Sequence, residues 1–429
     1  MSDNDTNNCN ANHCDNHNGN LSCADDSGTT CVDHVDQHLK PDDDDDDDVD
    51  ASACSVKGHG VSKRRVTYMY SNEYIQVCDA MLRIPKRASM IHCLVEAFGL
   101  LKYIKICLPR EATVPEVMSL HSDDYINFLK KINDQDDEEK DEEEAEIYGL
   151  TYDCPGHVGV YDYAVLVAGA TVAAAETLVH QEADVAINWF GGWHHAKRDS
   201  ASGFCYINDI VLGIIKLREK FDRVVYIDLD LHHGDGVEDA FCSTSKVLTV
   251  SFHKYLAGFF PGTGSVADTG IGRGKHYSVN VPLLDGLRDP EFVALFTRVM
   301  TRIREVFCPD AVVCQCGADG LAGDPMESFS LTHLGLGRSV QLLLDWNLPL
   351  LLLGGGGYNH PNTAKCWAYL TSLAVGKKLP RDIPDHEYLM EYGPDYEMTI
   401  STGNRKDCNT KEYLTHVYQQ VMNNLDKIS

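Results

Sequence analysis

The sequence predicts an α/β fold, a single domain with a mostly parallel sheet of about eight strands flanked by helices on both faces. Three observations point there. Short β-rich runs recur from Val66 onward, helix-length segments separate most of them, and the central runs are apolar on both faces. Strands covered by helices on each side must read that way. The candidate strands are VTYMY (66–70), IKIC (104–107), VAINWF (185–190), RVVYIDLD (223–230), KVLTVSF (246–252), YSVNV (277–281), AVVCQCG (311–317) and LPLLLLG (348–354). Between most of them lie ASMIHCLVEAFGLL, YDYAVLVAGATVAAAETLV, YINDIVLGIIKLREKF, PEFVALFTRVMTRIREVF and THLGLGRSVQLLLDW, whose patterning is helical. No repeat or second linker interrupts residues 64–429, so they read as one domain.

The flanking composition is different. The chain has 429 residues and a formal charge of −28, most of it in two segments. Residues 1–63 hold fifteen acids against three lysines, with seven consecutive aspartates at 42–48. Residues 133–146 (NDQDDEEKDEEEAE) hold ten acids against one lysine. The first segment lacks the apolar content to fold and reads as a disordered acidic tail; its scattered Cys and His lack paired metal-site spacing. The second reads as a solvated loop inside the domain. Such a chain is a poor candidate for direct DNA binding and could attract a basic ligand. The sixteen cysteines are scattered, several inside apolar runs (Cys107, Cys205, Cys314, Cys316), and no hydrophobic leader opens the sequence. Reduced thiols in an intracellular protein are expected. No apolar run is read as approaching the ~20 residues of a membrane helix, so no membrane association is expected.

Ligands of open α/β sheets bind beyond the carboxyl ends of the strands, and four polar clusters fall there. VAINWF leads into GGWHHA, VVYID into LDLHHGDG, AVVCQCG into AD, and LPLLLLG into GGGYN. In DLDLH the two-residue period places Asp228, Asp230 and His232 on one side. Asp230 and His232 with Asp319 as third ligand make a catalytic metal pattern, three protein ligands and an open position. Two carboxylates and an imidazole suit Zn²⁺, with Fe²⁺ open. His194 and His195, behind Gly191-Gly192, are then available as proton carriers, with Asp228 and Asp235 as candidate acceptors that fix their tautomers. His233 reads as structural. Tyr358, after four glycines, can donate to an oxygen that becomes negative in a transition state. GTGSVA (262–267) matches a dinucleotide fingerprint but follows FFP rather than a strand, which argues against that use.

GGWHHAKRDSASGFCYIND, YIDLDLHHGDGVEDAF, FFPGTG, GADGLAGDP and LLGGGGYN together resemble the zinc-dependent class I histone deacetylases. The resemblance runs from about Val66 to IPDHEYLMEYGPDY. One branch of the family matches best, through IPKRASM, YGLTYDCP, KFDRVVYIDLDLHHGDGVEDAF, the GDPM stretch and the short end after GPDY.

That resemblance implies an arginase/deacetylase-like fold and hydrolysis of N6-acetyl-lysine in histones and other proteins, with longer acyl-lysines open. It carries the zinc ligands onto Asp230, His232 and Asp319. The tandem histidines fall on His194 and His195, the latter as general base, with Asp228 and Asp235 as partners. Tyr358 matches the tyrosine that polarises the substrate carbonyl, and Asp153 the rim aspartate that holds the substrate backbone. Gly203, Phe204 and Phe260 match walls flanking the acyl-lysine stem, and Met326 a further pocket residue. K⁺ sites are implied near Asp228, Asp230, His232, Ser251 and Phe252, and near Phe241, Thr244, Val247 and Tyr277. Arg87 matches a residue of an internal channel behind the metal. Ser89 matches a phosphosite of that branch, although KRAS alone is a weak kinase motif. Hydroxamate-type metal chelators are expected to bind, and the family places the protein in nucleus and cytoplasm. The departures are the long tail, the acidic loop and Gly320-Leu321. The rivals are an acetylpolyamine or small-amide hydrolase on the same scaffold and a non-catalytic acetyl-lysine reader; the complete ligand set argues against the reader.

Overall fold

The computed structural model describes residues 64–134 and 142–428. The tail expected at 1–63 lies outside the described residues, as does 135–141 of the acidic run. The chain opens with β1 (Val66–Met69), α1 (Asn72–Asp79), α2 (Arg87–Ala97) and β2 (Lys105–Cys107). Then come α3 (Val114–Val117), α4 (Asp123–Asn133), α5 (Glu142–Ile147), α6 (Val160–Val179) and β3 (Val185–Asn188). Next are α7 (Asp209–Arg218), β4 (Val224–Asp228), α8 (Asp235–Phe241), β5 (Val247–Lys254) and β6 (Ser278–Leu283). The remainder is α9 (Asp289–Phe307), β7 (Ala311–Gln315), α10 (His333–Leu344), β8 (Leu350–Leu353), α11 (His360–Ala374) and α12 (Lys411–Leu425).

All eight expected strands form, in one sheet of order β2-β1-β3-β8-β7-β4-β5-β6 whose pairings are all parallel. This order sets β3, β8, β7 and β4 side by side. Their carboxyl ends are the four that lead into polar clusters, so the topology gathers those clusters at one edge of the sheet. Register finishes the placement, because Asp228 at the end of β4 pairs with Gln315 on β7 and Ser251 on β5.

Helix packing holds these ends rigid. Trp189, just after β3, stacks on Trp367 of α11 at 5.5 Å and 9°. The Trp367 indole donates to Cys316 O at 2.8 Å, and the Trp189 indole to Thr371 Oγ1 at 2.9 Å. Two buried indoles with satisfied N–H groups therefore clamp β3, the end of β7 and α11 together. Asn208 caps α7 by accepting from Val211 N, and Thr332 caps α10 by accepting from Leu334 N.

Three expectations need correction. The strand read to Asp230 ends at Asp228, so Asp230 and His232 lie on an irregular segment rather than on a strand. The acidic loop is in part helical. Glu142–Ile147 forms α5, whose buried Ala145 anchors it while Glu142, Glu143 and Glu146 face solvent and Glu144 pairs with Lys131 at 3.0 Å. Finally, α6 is 20 residues long and apolar enough to cross a membrane by length and composition. It is mostly buried, packed against α7 and β3, so its apolarity serves the core. Among the described residues Cys205, Cys314 and Cys316 are free and buried, and Cys107 is half-buried.

Candidate active site

Three ligand atoms converge at the floor. One donor atom each from Asp230, His232 and Asp319 lie within 4.8 Å of one another, and all three residues are buried. His232 Nδ1 sits 3.0 Å from Asp319 Oδ2 and 3.2 Å from Asp230 Oδ1. The other carboxylate oxygens are already tied. Asp230 Oδ2 accepts from Gln315 Nε2 at 2.7 Å and Gly356 N at 2.9 Å, while Asp319 Oδ1 accepts from Leu231 N at 2.9 Å. Second partners of this kind orient metal ligands.

The electrostatics fit a divalent cation. Burial first, and then the Asp230 charge, push Asp319 up to about 7. Burial works against a charge on His232, but the two carboxylates outweigh it and raise the imidazole to about 10. The floor thus draws protons onto groups that would otherwise crowd negative charge together. A divalent cation between the same atoms removes that need.

Beside this triad stand two His–Asp pairs. His194 Nδ1 lies 2.7 Å from Asp228 Oδ2, and His195 Nδ1 lies 2.7 Å from Asp235 Oδ1. The rings are 3.9 Å apart and buried. Their surroundings differ. Asp228 Oδ2 also accepts from the Tyr226 hydroxyl at 2.6 Å, whereas Asp235 Oδ2 meets Lys197 Nζ at 2.7 Å. Burial alone would lower His194, but Asp228 and then Asp230, 3.8 Å from its Nε2, outweigh this and raise it to about 9. Burial, then the neighbouring His194, push His195 down to about 3 despite Asp235. Paired titratable groups pushed apart in this way suit separate acid and base roles.

The glycines have a specific use here. Gly192 has φ +100°, and a Cβ on it would lie 2.6 Å from the Gly354 carbonyl carbon. Only glycine lets the turn before His194 pass this close to the turn after β8. Gly355 and Gly357, at φ +125° and +134°, carry the backbone to Tyr358. Burial, then Asp319, hold the Tyr358 phenol well above its ordinary range, so it stays a hydrogen-bond donor. The Arg87 guanidinium donates to Gly355 O and Gly357 O, both at 3.0 Å, and so braces this turn from behind.

At the mouth, Asp153 Oδ2 accepts the Gly203 N–H at 2.8 Å. The Phe204 ring stands edge-on to Tyr358 at 5.8 Å, and Phe260 edge-on to His195 at 4.8 Å. Met326 N donates to Asp324 Oδ1 at 2.9 Å. The residues expected around a first monovalent ion, Asp228, Asp230, His232, Ser251 and Phe252, lie at the carboxyl end of β4 and along β5. Those of the second, Phe241, Thr244, Val247 and Tyr277, bracket the end of α8 and the starts of β5 and β6. Ser89 lies apart from the floor, in the first turn of α2. Its hydroxyl donates to the Asp79 carboxylate, which also accepts the Ser89 N–H at 3.1 Å.

Three residues escaped the reading of the sequence. Asp209, in CYIND, is fully buried and accepts Gly192 N at 2.9 Å, Trp193 N at 2.8 Å and the Thr171 hydroxyl at 2.6 Å. It fixes the turn that presents both histidines. Gln315 orients Asp230 and takes Gly317 N on its Oε1 at 2.7 Å. Asp324, in AGDP, accepts Tyr358 N at 2.7 Å and Asn359 N at 3.1 Å. The available signal was a polar residue inside, or just after, an apolar run.

A family model described as a histone deacetylase domain matches residues 82–374. The chain is 54% identical over 365 residues to histone deacetylase 8 of Danio rerio, covering 85% of this chain and 96% of that one. It is 52% identical over 362 residues to histone deacetylase 8 of Xenopus tropicalis, covering 84% and 98%. Against histone deacetylase 1 of Bos taurus the identity is 44% over 368 residues, covering 85% and 76%. With the domain matched over most of the chain and two relatives more than half identical along nearly their whole length, the chain belongs to the histone deacetylase family.

Proposed function

We propose that this chain, a lysine deacetylase by family, hydrolyses the side-chain amide of N6-acetyl-lysine in histones and other proteins. The observation that carries the proposal is the convergence of Asp230, His232 and Asp319 beside two His–Asp pairs and a buried tyrosine. Asp230, His232 and Asp319 would hold the ion, Zn²⁺ or Fe²⁺. When bound, it supplies Lewis-acid polarisation of the amide carbonyl and makes the attacking water more acidic. His195, its Nδ1 oriented by Asp235, takes the water's proton on Nε2. The Tyr358 hydroxyl donates to the carbonyl oxygen as negative charge builds there. The departing amine takes a proton from His195 or His194. Asp153 binds the substrate backbone, Gly203, Phe204 and Phe260 flank the lysine stem, and Met326 lines the pocket beside it.

Hydroxamate-type chelators would occupy the same floor, and K⁺ would fill the two monovalent sites. Residues 64–429 are assigned as the catalytic domain, with 1–63 an appended tail. The protein would act in nucleus and cytoplasm, without direct DNA or membrane binding.

Acetate release from a panel of acyl-lysine peptides, run beside an acetylpolyamine, tests the proposal. Faster turnover of the acetyl-lysine peptides supports it. Preference for the polyamine would move the assignment to a small-amide hydrolase.

A further inference from the structure

His233, the second histidine of LDLHHGDG, has no part in the chemistry above, yet it is 2% exposed. Its Nδ1 lies 2.8 Å from Thr263 Oγ1 and its Nε2 3.2 Å from Glu238 Oε2. A carboxylate only accepts, so Nε2 carries the hydrogen and Nδ1 accepts from the Thr263 hydroxyl. His253, fully buried on β5, repeats the arrangement one residue further along the loop. Its Nε2 donates to Gly264 O at 2.9 Å, and its Nδ1 accepts from Ser251 Oγ at 2.9 Å. The two imidazoles stand 4.6 Å apart.

Gly264 closes the arrangement. Its φ is +89°, and a Cβ there would come within 2.3 Å of His253 Nε2 and 2.7 Å of His233 Cγ. Only glycine lets the loop lie down on both rings. A second tie backs the first, since Glu238 Oε2 also accepts from Asn280 Nδ2 at 2.8 Å, and that amide reaches Asp268 O at 3.1 Å.

What this holds is a wall of the site. Thr263 and Gly264 follow Phe259 and Phe260 by only a few residues in the β5–β6 connection. Phe259 stacks on His232 at 5.2 Å and 5°, and Phe260 stands against His195 at 4.8 Å with 40% exposure. A connection carrying a partly exposed aromatic would otherwise need the substrate to order it.

We propose that His233 and His253 are positioning residues: they grip Thr263 and Gly264, and so hold the Phe259–Phe260 wall ready for the acyl-lysine stem. The proposal rests on the lysine-deacetylase reading of this site. The wall would flank the stem, and although its rings pack on His232 and His195 it offers no polar group to the reacting atoms, so loosening it removes mainly binding shared by ground and transition states. That loss appears in KM rather than kcat.

Thr263→Val keeps the side-chain shape and removes the hydroxyl donor. On an acetyl-lysine peptide we expect KM to rise about 5–10-fold with kcat within about twofold. Bound metal should be unchanged, and Thr263→Ser should restore KM. Gly264→Ala should move KM in the same direction and further. An unchanged KM in Thr263→Val, even with a lowered melting temperature, would overturn the proposal by reducing the pair to a structural role. So would a fall confined to kcat, or failure of Thr263→Ser to restore KM. If the unsubstituted protein turns over no acetyl-lysine peptide, the underlying function assignment fails, and this inference with it.

Discussion

At the floor of the site Asp230 accepts from Gln315, Gly356 and the His232 backbone, and it is 1% exposed. At the rim Asp153 takes the Gly203 N–H and is half-buried, and its neighbour Tyr152 is 87% exposed. Strand ends and the tight turns between them hold the floor, whereas loops hold the rim. Groups that must stay within a few tenths of an ångström sit where packing fixes them. Asp153, proposed to meet the substrate backbone, sits on a loop where the backbone can adjust. Floor substitutions should therefore act on metal and kcat, and rim substitutions on KM.

The largest effect is expected from Asp319→Ala. Two protein ligands do not hold the ion in a catalytic geometry, so tight metal binding and turnover should both vanish. A full equivalent of active-site metal in the purified variant would show that the floor was assigned wrongly. Next comes Tyr358→Phe, which should keep its metal and substrate affinity while kcat falls ~10²–10³-fold, the usual cost of one oxyanion donor. A kcat near that of the parent would remove Tyr358 from the chemistry.

A third effect separates the metal-free floor from the loaded one. With His232 raised to about 10 and His194 to about 9, both above the ordinary 6.5, the metal-free folded chain binds more protons than the unfolded chain between pH 7 and 9. These groups stabilise the fold fully below about 6.5, and that stability is lost as pH rises through their folded values. The metal-free melting temperature should fall from pH 7 to pH 9. With the ion bound, His232 is neutral and the fall should be smaller. Parallel curves for the two forms would break the account of the floor. The smallest effect is at the rim. Asp153→Asn should raise KM for acetyl-peptides about tenfold, as loss of a charged hydrogen bond does, with kcat little changed. A kcat defect of floor size would erase the distinction.

The same division governs what could be read without coordinates. All eight strands were legible because a parallel sheet buries both faces of each strand, leaving apolar runs such as VVYID and LPLLLLG. Asp228, Asp230, His232 and Asp319 were legible as polar residues at the ends of those runs. Asp228 and Asp235 were legible as candidate acceptors for His194 and His195, but which aspartate meets which histidine is set by the fold. By contrast α1, α4, α11 and α12 went unread. KEYLTHVYQQVMNNL does carry a helical apolar stripe (Leu414, Val417, Val421 and Leu425), but α12 has no strand after it to bracket it, so the strand-by-strand alternation passes it over. Asp209 and Asp324 escaped because they accept mainly from backbone N–H groups, as with Tyr358 N 34 residues from Asp324, and Gln315 because the carboxylate it donates to, on Asp230, lies 85 residues away. The rim residues were reached through family resemblance alone, since loops carry no period.

If the floor holds a divalent ion on which hydrolysis depends, removing and restoring that ion should switch turnover off and on. The protein is stripped of metal, Zn²⁺ is titrated back, and acetate release from an acetyl-lysine peptide is followed. Turnover should be negligible at the start and rise to saturate at one equivalent of ion per chain. Full turnover in the stripped protein, with no gain on adding Zn²⁺, would contradict that dependence.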